Sequence, residues 1–347
     1  MARFGHDLKM KTISLNGPGS VAVIDQEVDQ SFVMMAVLRV ISSGVCAADS
    51  YLWSGNHPWD ISYPIVPGHE IFGEIIELAP SATGDLKVGS KVAVQVNVPC
   101  HQCELCKKGK FNMCTVRKHF GSTFLGSFAE KIAIPAGARV HSYTSEINDL
   151  IGGLSETMAN AIYCSRKIDL NNDDSVLILG MGSIGACLAH YLKRTHPQVK
   201  ITVLTSSEEK RELLSKLEIG STSLAEIEKF KDSFDVVFET SGFAGNFKAG
   251  LTAVKPTGTA IIYGVFQEEM LFDFNQVSEF KELTLIGGHL ADDVSFDLSI
   301  DFLTQHQEEL DYLISNVVGF ENFTTAFSDS RFSQFKTVFQ PTHRIGA

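Results

Sequence analysis

Four cysteines crowded between positions 100 and 114, in the pattern Cys100-x2-Cys103-x2-Cys106-x7-Cys114, constrain this chain more than any other feature. Four thiolates at that spacing can close a tetrahedron around Zn²⁺ and leave no open position, so the lobe spanning residues 97–116 reads as a structural zinc site. Gly109 lets the loop turn, and Lys107, Lys108 and Lys110 partly offset the thiolate charge. His101 sits inside the cluster and reads as an exposed residue rather than a fifth ligand. Four unrelated free cysteines are the competing reading, and the density of the spacing argues against it. Zinc deaminases share the run Pro99-Cys100-x-x-Cys103 but also require His-x-Glu, whereas here His69 and Glu70 are adjacent.

A chain of 347 residues exceeds one ordinary core and suits two domains. Its first part alternates short β-type runs (Phe32–Val40, Glu70–Leu78, Lys91–Val98) with Gly and Pro punctuation, an all-β pattern. After about residue 150 the pattern becomes strand–helix alternation. Leu154–Ile168 reads as a helix, Val176–Leu179 as a buried strand and Ser183–Thr195 as a helix. Strand-like runs follow at Ile201–Leu204, Asp235–Glu239, Thr259–Tyr263 and Leu283–Ile286. Such alternation predicts a doubly wound parallel sheet in an α/β protein. A last helix (Phe296–Gln305) and strand (Lys336–Gln340) precede a loose tail, His343–Ala347. The expected domains are therefore residues 1–150 with 290–347, and residues 151–289.

Twenty-nine basic against 41 acidic residues give a net charge of −12, which argues against nucleic acid or an anionic membrane as partner. There is no apolar run of spanning length and no signal-type apolar stretch in Met1–Lys11, so a cytoplasmic location is expected. In that compartment a cysteine cluster reads as metal binding rather than disulfides.

Gly180-Met181-Gly182-Ser183-Ile184-Gly185 follows a strand and opens a helix, the context that makes G-x-G-x-x-G a dinucleotide cradle. Gly180 would make the tight turn, Gly182 would let a pyrophosphate approach the helix N-terminus, and Gly185 would allow close helix–strand packing. An NAD site usually carries an acid about 20 residues on. Here the next strand ends in Thr205-Ser206-Ser207, with Lys210 and Arg211 nearby, so a 2′-phosphate is the better match and NADP(H) is favoured over NAD(H). Glu208 and Glu209 oppose this reading unless they face solvent, and a solvated helix face is the competing reading for Lys210 and Arg211.

Cys46 and His69 are each weak signals in isolation. With Gly44-Val45-Cys46, Gly68-His69-Glu70, the cysteine lobe, Gly126-Ser127-Phe128-Ala129-Glu130 and the glycine motif in this order, nearly the whole chain resembles the zinc-containing medium-chain dehydrogenase/reductase superfamily. The resemblance implies a GroES-like β-rich catalytic domain joined to a Rossmann domain. It implies a catalytic zinc on Cys46 and His69, with a third ligand from the Leu154–Met158 segment, where Glu156 stands in place of the cysteine of simple alcohol dehydrogenases. That substitution is the pattern of the polyol branch. Glu70 is implied as a neighbour of the metal or an exchanging ligand. Glu156 as a mere helix N-terminal acid is the alternative. Thr240, Gly264 and Val265 follow strands whose ends line the cofactor in the family. A homodimer or homotetramer is a family expectation.

One position departs from the family. The Ser or Thr two residues after the zinc cysteine is Ala48, and the family's nearby His is matched at best by Tyr51, which puts the usual proton relay in doubt and leaves a zinc-bound water, Glu70 or Glu156 as the candidates to carry the proton. A Cys46-Ala-Ala-Asp49 run is similar to that of pentitol-phosphate reductases. The substrate cleft is expected between the domains, around Cys46, Tyr51, Trp53, His57, His69, Phe120 and Glu156, with Arg117, Lys118, His119 and His289 as candidate phosphate contacts. The expected activity is reversible oxidation of a secondary alcohol on a small-molecule polyol, sugar or sugar phosphate. A simple alcohol/aldehyde reductase and a non-catalytic nucleotide-binding protein are the alternatives.

Overall fold

The structure, a computed structural model, describes residues 9–57, 61–80, 82, 86–328 and 335–342; the expected loose tail lies outside the described residues. In chain order the elements are β1 (Lys9–Gly17), β2 (Ser20–Glu27), β3 (Met34–Val45), α1 (Ala47–Ser54), β4 (Glu70–Leu78), β5 (Lys91–Val94), β6 (Asn97–Val98), α2 (Glu104–Lys107), β7 (Lys118–His119), β8 (Lys131–Pro135), β9 (Val140–Ser142), α3 (Asp149–Gly152) and α4 (Ser155–Ser165). Then follow β10 (Ser175–Leu179), α5 (Ser183–Thr195), β11 (Lys200–Leu204), α6 (Glu208–Lys216), β12 (Gly220–Thr222), β13 (Phe234–Glu239), α7 (Ala244–Ala253), β14 (Val254–Ile262), β15 (Thr284–Gly287), α8 (Asp293–His306), β16 (Ile314–Val318), α9 (Thr325–Ser328) and β17 (Lys336–Phe339).

The chain divides into two units, Met1–Ala159 with Ala291–Ala347, and Asn160–Leu290. The division falls several residues beyond the expected position 150. The physical reason is local: the Ser42 hydroxyl donates to the Asp149 carbonyl and Ser299 to the Ser155 carbonyl, so α3 and the first turn of α4 are held by the first unit.

The first unit is built on a sheet of order β16-β17-β3-β4-β5-β9, with β8 also paired to β3. β3 is long because it is a shared partner: it runs antiparallel to β4, β8 and β17. Its alternate side chains Leu38 and Val40 meet Ile71, Ile75, Val92, Val94, Ile132 and Ile134 in one core, as the two-residue period of a strand dictates. A second core joins Ile13, Val45, Phe128, Val318, Phe323 and Phe339. Phe128 is fully buried, its ring 4.8 Å from that of Phe323 and 5.4 Å from that of Phe339. It also fixes the turn that carries His69. Phe128 N–H donates to the Pro67 carbonyl (3.1 Å) and Ser127 N–H to the Gly68 carbonyl (3.0 Å). Gly68 has φ +95°, and a Cβ there would lie 2.8 Å from the Phe128 ring.

The second unit is one parallel sheet of order β12-β11-β10-β13-β14-β15. The order reverses between β10 and β13, the switch point where open α/β sheets bind ligands at strand C-terminal ends. Val176 to Leu179 are all buried, as expected of a strand covered on both faces.

Phe128→Ala removes the ring that joins the second core to the Pro67-Gly68 turn. The expected cost is about 3–5 kcal/mol, typical of a large-to-small core change. It should be read as a lower urea midpoint with the slope unchanged.

Candidate functional site

In the cysteine lobe all four sulfurs lie within 4.8 Å of one another. They form no disulfides: the closest described approaches, Cys100 to Cys106 and Cys103 to Cys114, are 4.0 Å. Backbone N–H groups point at the sulfurs. Those of Gln102 and Cys103 donate to Cys100 (3.5 and 3.3 Å), that of Cys106 to Cys103 (3.5 Å) and that of Cys100 to Cys114 (3.3 Å). The Cys106 N–H, with that of Thr115, brings the Cys103 thiol down to about 5, whereas burial pushes Cys106 up to about 12. The lobe therefore favours the thiolate at Cys100 and Cys103 and opposes it at Cys106, and four clustered sulfurs of this kind are the donor set of a closed Zn²⁺ site. His101 takes a left-handed backbone (φ +55°), and its Nε2 lies 2.8 Å from the Gly137 carbonyl oxygen.

A second cluster is built from distant segments. Cys46 follows β3 and caps α1, His69 stands at the end of the Pro67-Gly68 turn, and Glu70 opens β4. One donor atom from each lies within 4.8 Å of the others. Asp49 organises two of them. Fully buried, its carboxylate accepts from Cys46 N–H (2.9 Å) and Gly68 N–H (3.3 Å) and lies 3.7 Å from His69 Nδ1. Burial alone would lower the His69 pKa. Asp49, the Cys46 sulfur and Glu156 outweigh burial and hold it well above 6.5.

Glu70 is held in place from three sides. Lys336, on β17, donates to both carboxylate oxygens (2.7 and 2.9 Å), and Thr157 donates to Oε2 (2.8 Å). Gly44 makes the room: a Cβ there would sit 1.9 Å from Glu70 Oε2. Both partners of the ion pair are almost fully buried. Burial would lower the Lys336 pKa, but Glu70 and Cys46 outweigh it and raise it, favouring the ammonium form.

Glu156 lies outside the mutual 4.8 Å set. It is buried in the first turn of α4 and acts electrostatically on both His69 and Lys336. Asp49, Thr157 and Lys336 contact the cluster and are residues that the sequence reading does not single out. Asp49 has a signal, since an acid three residues after a helix-capping residue reaches back to the cap N–H.

Other expected cleft residues have local roles. Phe120 is buried in the first core, and Trp53 stacks on Phe327 at 5.2 Å. His57 Nε2 lies 3.5 Å from the Tyr63 hydroxyl. Arg117 donates to the Cys114 carbonyl and to His119, and Lys118 lies over the Phe124 ring.

In the second unit the glycine motif joins β10 to α5. Gly180 has φ +97°. A Cβ on Gly185 would lie 2.1 Å from the Gly180 carbonyl oxygen, whereas one on Gly182 would meet nothing within 4 Å. Open space therefore stands at the N-terminus of α5, which has no side-chain cap and where Ser183 and Ile184 begin the helix. Such a terminus attracts phosphate. The Thr240 hydroxyl donates to the Leu179 and Gly180 carbonyls and ties the loop after β13 to the glycine turn. Thr205 is buried, with its hydroxyl accepting from Ser207 N–H. The Ser207 hydroxyl caps α6 by accepting from Lys210 N–H (3.3 Å). Arg211 pairs with Glu208 and Glu226. Lys210 folds back so that its ammonium donates to the Met181 carbonyl (2.8 Å) inside the glycine motif, and burial lowers its pKa to about 8. Gly264 and Val265 close against Gly242: a Cβ on Gly242 would lie 2.4 Å from the Val265 carbonyl oxygen.

Asp49→Asn should lower zinc affinity at the Cys46–His69 cluster about 10–100-fold, as loss of a ligand's orienting partner does; chelator competition reads it, with the four-cysteine lobe unaffected. In chelator-treated protein, the raised His69 pKa stabilises the fold fully below the unfolded value near 6.5, and that stability is lost as pH rises through the folded value. Its Tm should therefore fall on the alkaline side of pH 6.5, and His69→Gln should flatten that fall.

Comparison with known proteins supplies the lineage. Residues 35–144 match the family model of the alcohol dehydrogenase GroES-like domain, and residues 154–340 match that of the glucose dehydrogenase C-terminus. An erythritol/L-threitol dehydrogenase of Mycolicibacterium smegmatis is 28% identical over 304 residues, 82% of this chain and 84% of that protein. A sorbitol dehydrogenase of Halalkalibacterium halodurans is 25% identical, over 90% of this chain and 93% of its own. The crystal structure of a galactitol-1-phosphate dehydrogenase from Escherichia coli superposes with a TM-score of 0.84 at 22% identity, over 95% of this chain and all of that one. The chain belongs to the zinc-containing medium-chain dehydrogenase/reductase superfamily of alcohol and polyol dehydrogenases.

Proposed function

We propose that this protein is a zinc-dependent oxidoreductase that moves a hydride between a nicotinamide cofactor and the secondary alcohol or ketone of a polyol or polyol phosphate. The observation that carries the proposal is the contrast between its two clusters. Four cysteines form a closed set, whereas Cys46, His69 and Glu70 form a three-donor set that leaves room for a substrate oxygen. The anionic surroundings that hold a proton on His69 are those that favour a divalent cation.

Cys46, His69 and either Glu70 or Glu156 would hold the catalytic zinc, and Cys100, Cys103, Cys106 and Cys114 the structural one. A bound Zn²⁺ supplies Lewis acidity toward a hydroxyl or carbonyl oxygen. The remaining work falls to the protein. Asp49 fixes Cys46 and the His69 turn. Lys336 and Thr157 hold Glu70 in place, and whichever of Glu70 and Glu156 does not hold the metal would take up the substrate proton in place of the hydroxyl missing at Ala48. Gly180, Gly182 and Gly185 cradle the pyrophosphate at the α5 N-terminus. Thr205, Ser206 and Lys210 would receive a 2′-phosphate, and for this reason NADP(H) is favoured over NAD(H). The polyol relatives support the substrate class.

The test compares initial rates of ketone reduction by zinc-loaded protein. Ribulose 5-phosphate, fructose and xylulose are each offered with NADPH and NADH. The expected result is strongest turnover with NADPH, on the phosphorylated or the free ketose, with about two zinc ions per chain. About one zinc per chain and no turnover with any pair would sink the mechanism.

A further inference from the structure

Glu239 is a buried carboxylate that the proposed chemistry does not use. It ends β13, beside β10 and β14, at the switch point of the parallel sheet. It is fully buried. Its Oε1 is saturated: it accepts from Ser241 N–H (2.9 Å), the Ser241 hydroxyl (2.5 Å) and Gly242 N–H (2.9 Å). Its Oε2 is buried beside Gly264 N–H, and no Lys or Arg pairs with the carboxylate among the described residues; burial pushes its pKa up, opposed by the Ser241, Gly242 and Gly264 donors. That oxygen lies under Gly264, where a Cβ would come within 2.3 Å of it. The backbone closes round the same residue, since Tyr263 N–H and Gly264 N–H both donate to the Glu239 carbonyl (2.9 and 3.0 Å).

A buried acid with no cation beside it is expensive in a protein interior, and the Ser241 and Gly242 donors would hold their loop equally well through a neutral amide oxygen. What an amide lacks is the charge. In a sheet of this order the glycine turn after β10 receives the pyrophosphate. The β11 side takes the adenosine half, and the ends of β13 and β14 flank the nicotinamide half. The oxidised nicotinamide ring is a cation and the reduced ring is neutral. A carboxylate in a low-dielectric surround therefore interacts with one redox form and not with the other.

Resting on the reading that this unit binds a nicotinamide dinucleotide, we propose that Glu239 is a positioning residue that acts electrostatically, its buried carboxylate favouring the oxidised cofactor over the reduced one. The Ser241 and Gly242 bonds aim it, and Gly264 provides the space it occupies.

The experiment measures Kd for NADP⁺ and NADPH, and for NAD⁺ and NADH, by titration calorimetry and nucleotide fluorescence on the zinc-loaded holoenzyme. Wild type is compared with Glu239→Gln and Glu239→Asp. The Gln variant keeps an acceptor for all three donors and removes the charge. It should weaken the oxidised form about three- to tenfold and leave the reduced form within about twofold. The Asp variant keeps the charge and should retain a wild-type ratio of the two constants, which serves as the test should the Gln variant not fold. Equal weakening of both forms by Glu239→Gln would reduce the residue to a loop staple and overturn the proposal. An unchanged ratio, or an Asp variant that loses the preference, would overturn it too. Failure of wild type to bind any of the four nucleotides would instead refute the nicotinamide reading, and the inference with it.

Discussion

The buried ion pair between Glu70 and Lys336 is the contact around which the first unit is arranged. It joins the first residue of β4 to the first residue of β17 across 266 positions of sequence. A pair of this kind is a poor source of net stability, because desolvating both ions offsets most of their attraction. It is a strong source of specificity, because either ion left alone would be uncompensated. The neighbouring elements comply with it. β3 must carry glycine at position 44 so that the Glu70 carboxylate fits against the strand, and α4 must present Thr157. β17 must lie on the other side of β3 in the register that pairs Thr337 with Val45. Cys46 then follows immediately, so the sheet order and the position of the sulfur are set together.

Charge also explains why the two clusters differ. In the cysteine lobe the anions are neighbours in sequence, and local N–H groups solvate them, so the site can form within one short segment. In the Cys46–His69–Glu70 cluster the carboxyl groups of Asp49, Glu70 and Glu156 come from separate segments and surround the buried Lys336 and a histidine whose charged form Asp49 and Glu156 favour. The closed lobe can hold a structure together. The Cys46–His69–Glu70 cluster exists only when the folded sheet brings its separate segments together.

What can be read from the sequence follows the same division. Cysteine spacing and the glycine motif are local patterns, and the strand and helix periods are local too, so the lobe, the cradle and both sheets are legible. The Glu70 environment is not. Lys336 looks like any lysine opening a strand, and only the β17–β3 pairing brings it to the carboxylate. Asp49 lies within the Cys46-Ala-Ala-Asp49 run and requires only the capping geometry to be recognised. Hydroxyls and cations after β11 can be picked out of the sequence, but what each one contacts cannot. Ser207 spends its hydroxyl on the α6 cap and Arg211 its charge on two glutamates, while Lys210 turns back to the glycine motif. Helix capping and i,i+3 pairing compete for the same residue types as phosphate recognition, and sequence alone does not decide between them.

The glycines of the second unit show how the sheet edge distinguishes ligand space from packing space. Gly185 is glycine because the Gly180 carbonyl occupies the place of its side chain, and Gly264 because Glu239 and the Gly242 amide do. These positions are filled by the protein itself. Gly182 is different: nothing lies within 4 Å of the Cβ it lacks, although it sits between two crowded neighbours at the head of α5. Gly182 is the N-cap of α5, a position that glycine fills well, and its missing side chain leaves the backbone there open to an approaching group. The crowded positions hold the loops rigid, through Thr240 on one side and Glu239 on the other, and the open one leaves the N-terminus of α5 facing that space. Rigid walls around an open backbone position are what a pyrophosphate requires, since its recognition depends on amides already pointing at it before it arrives.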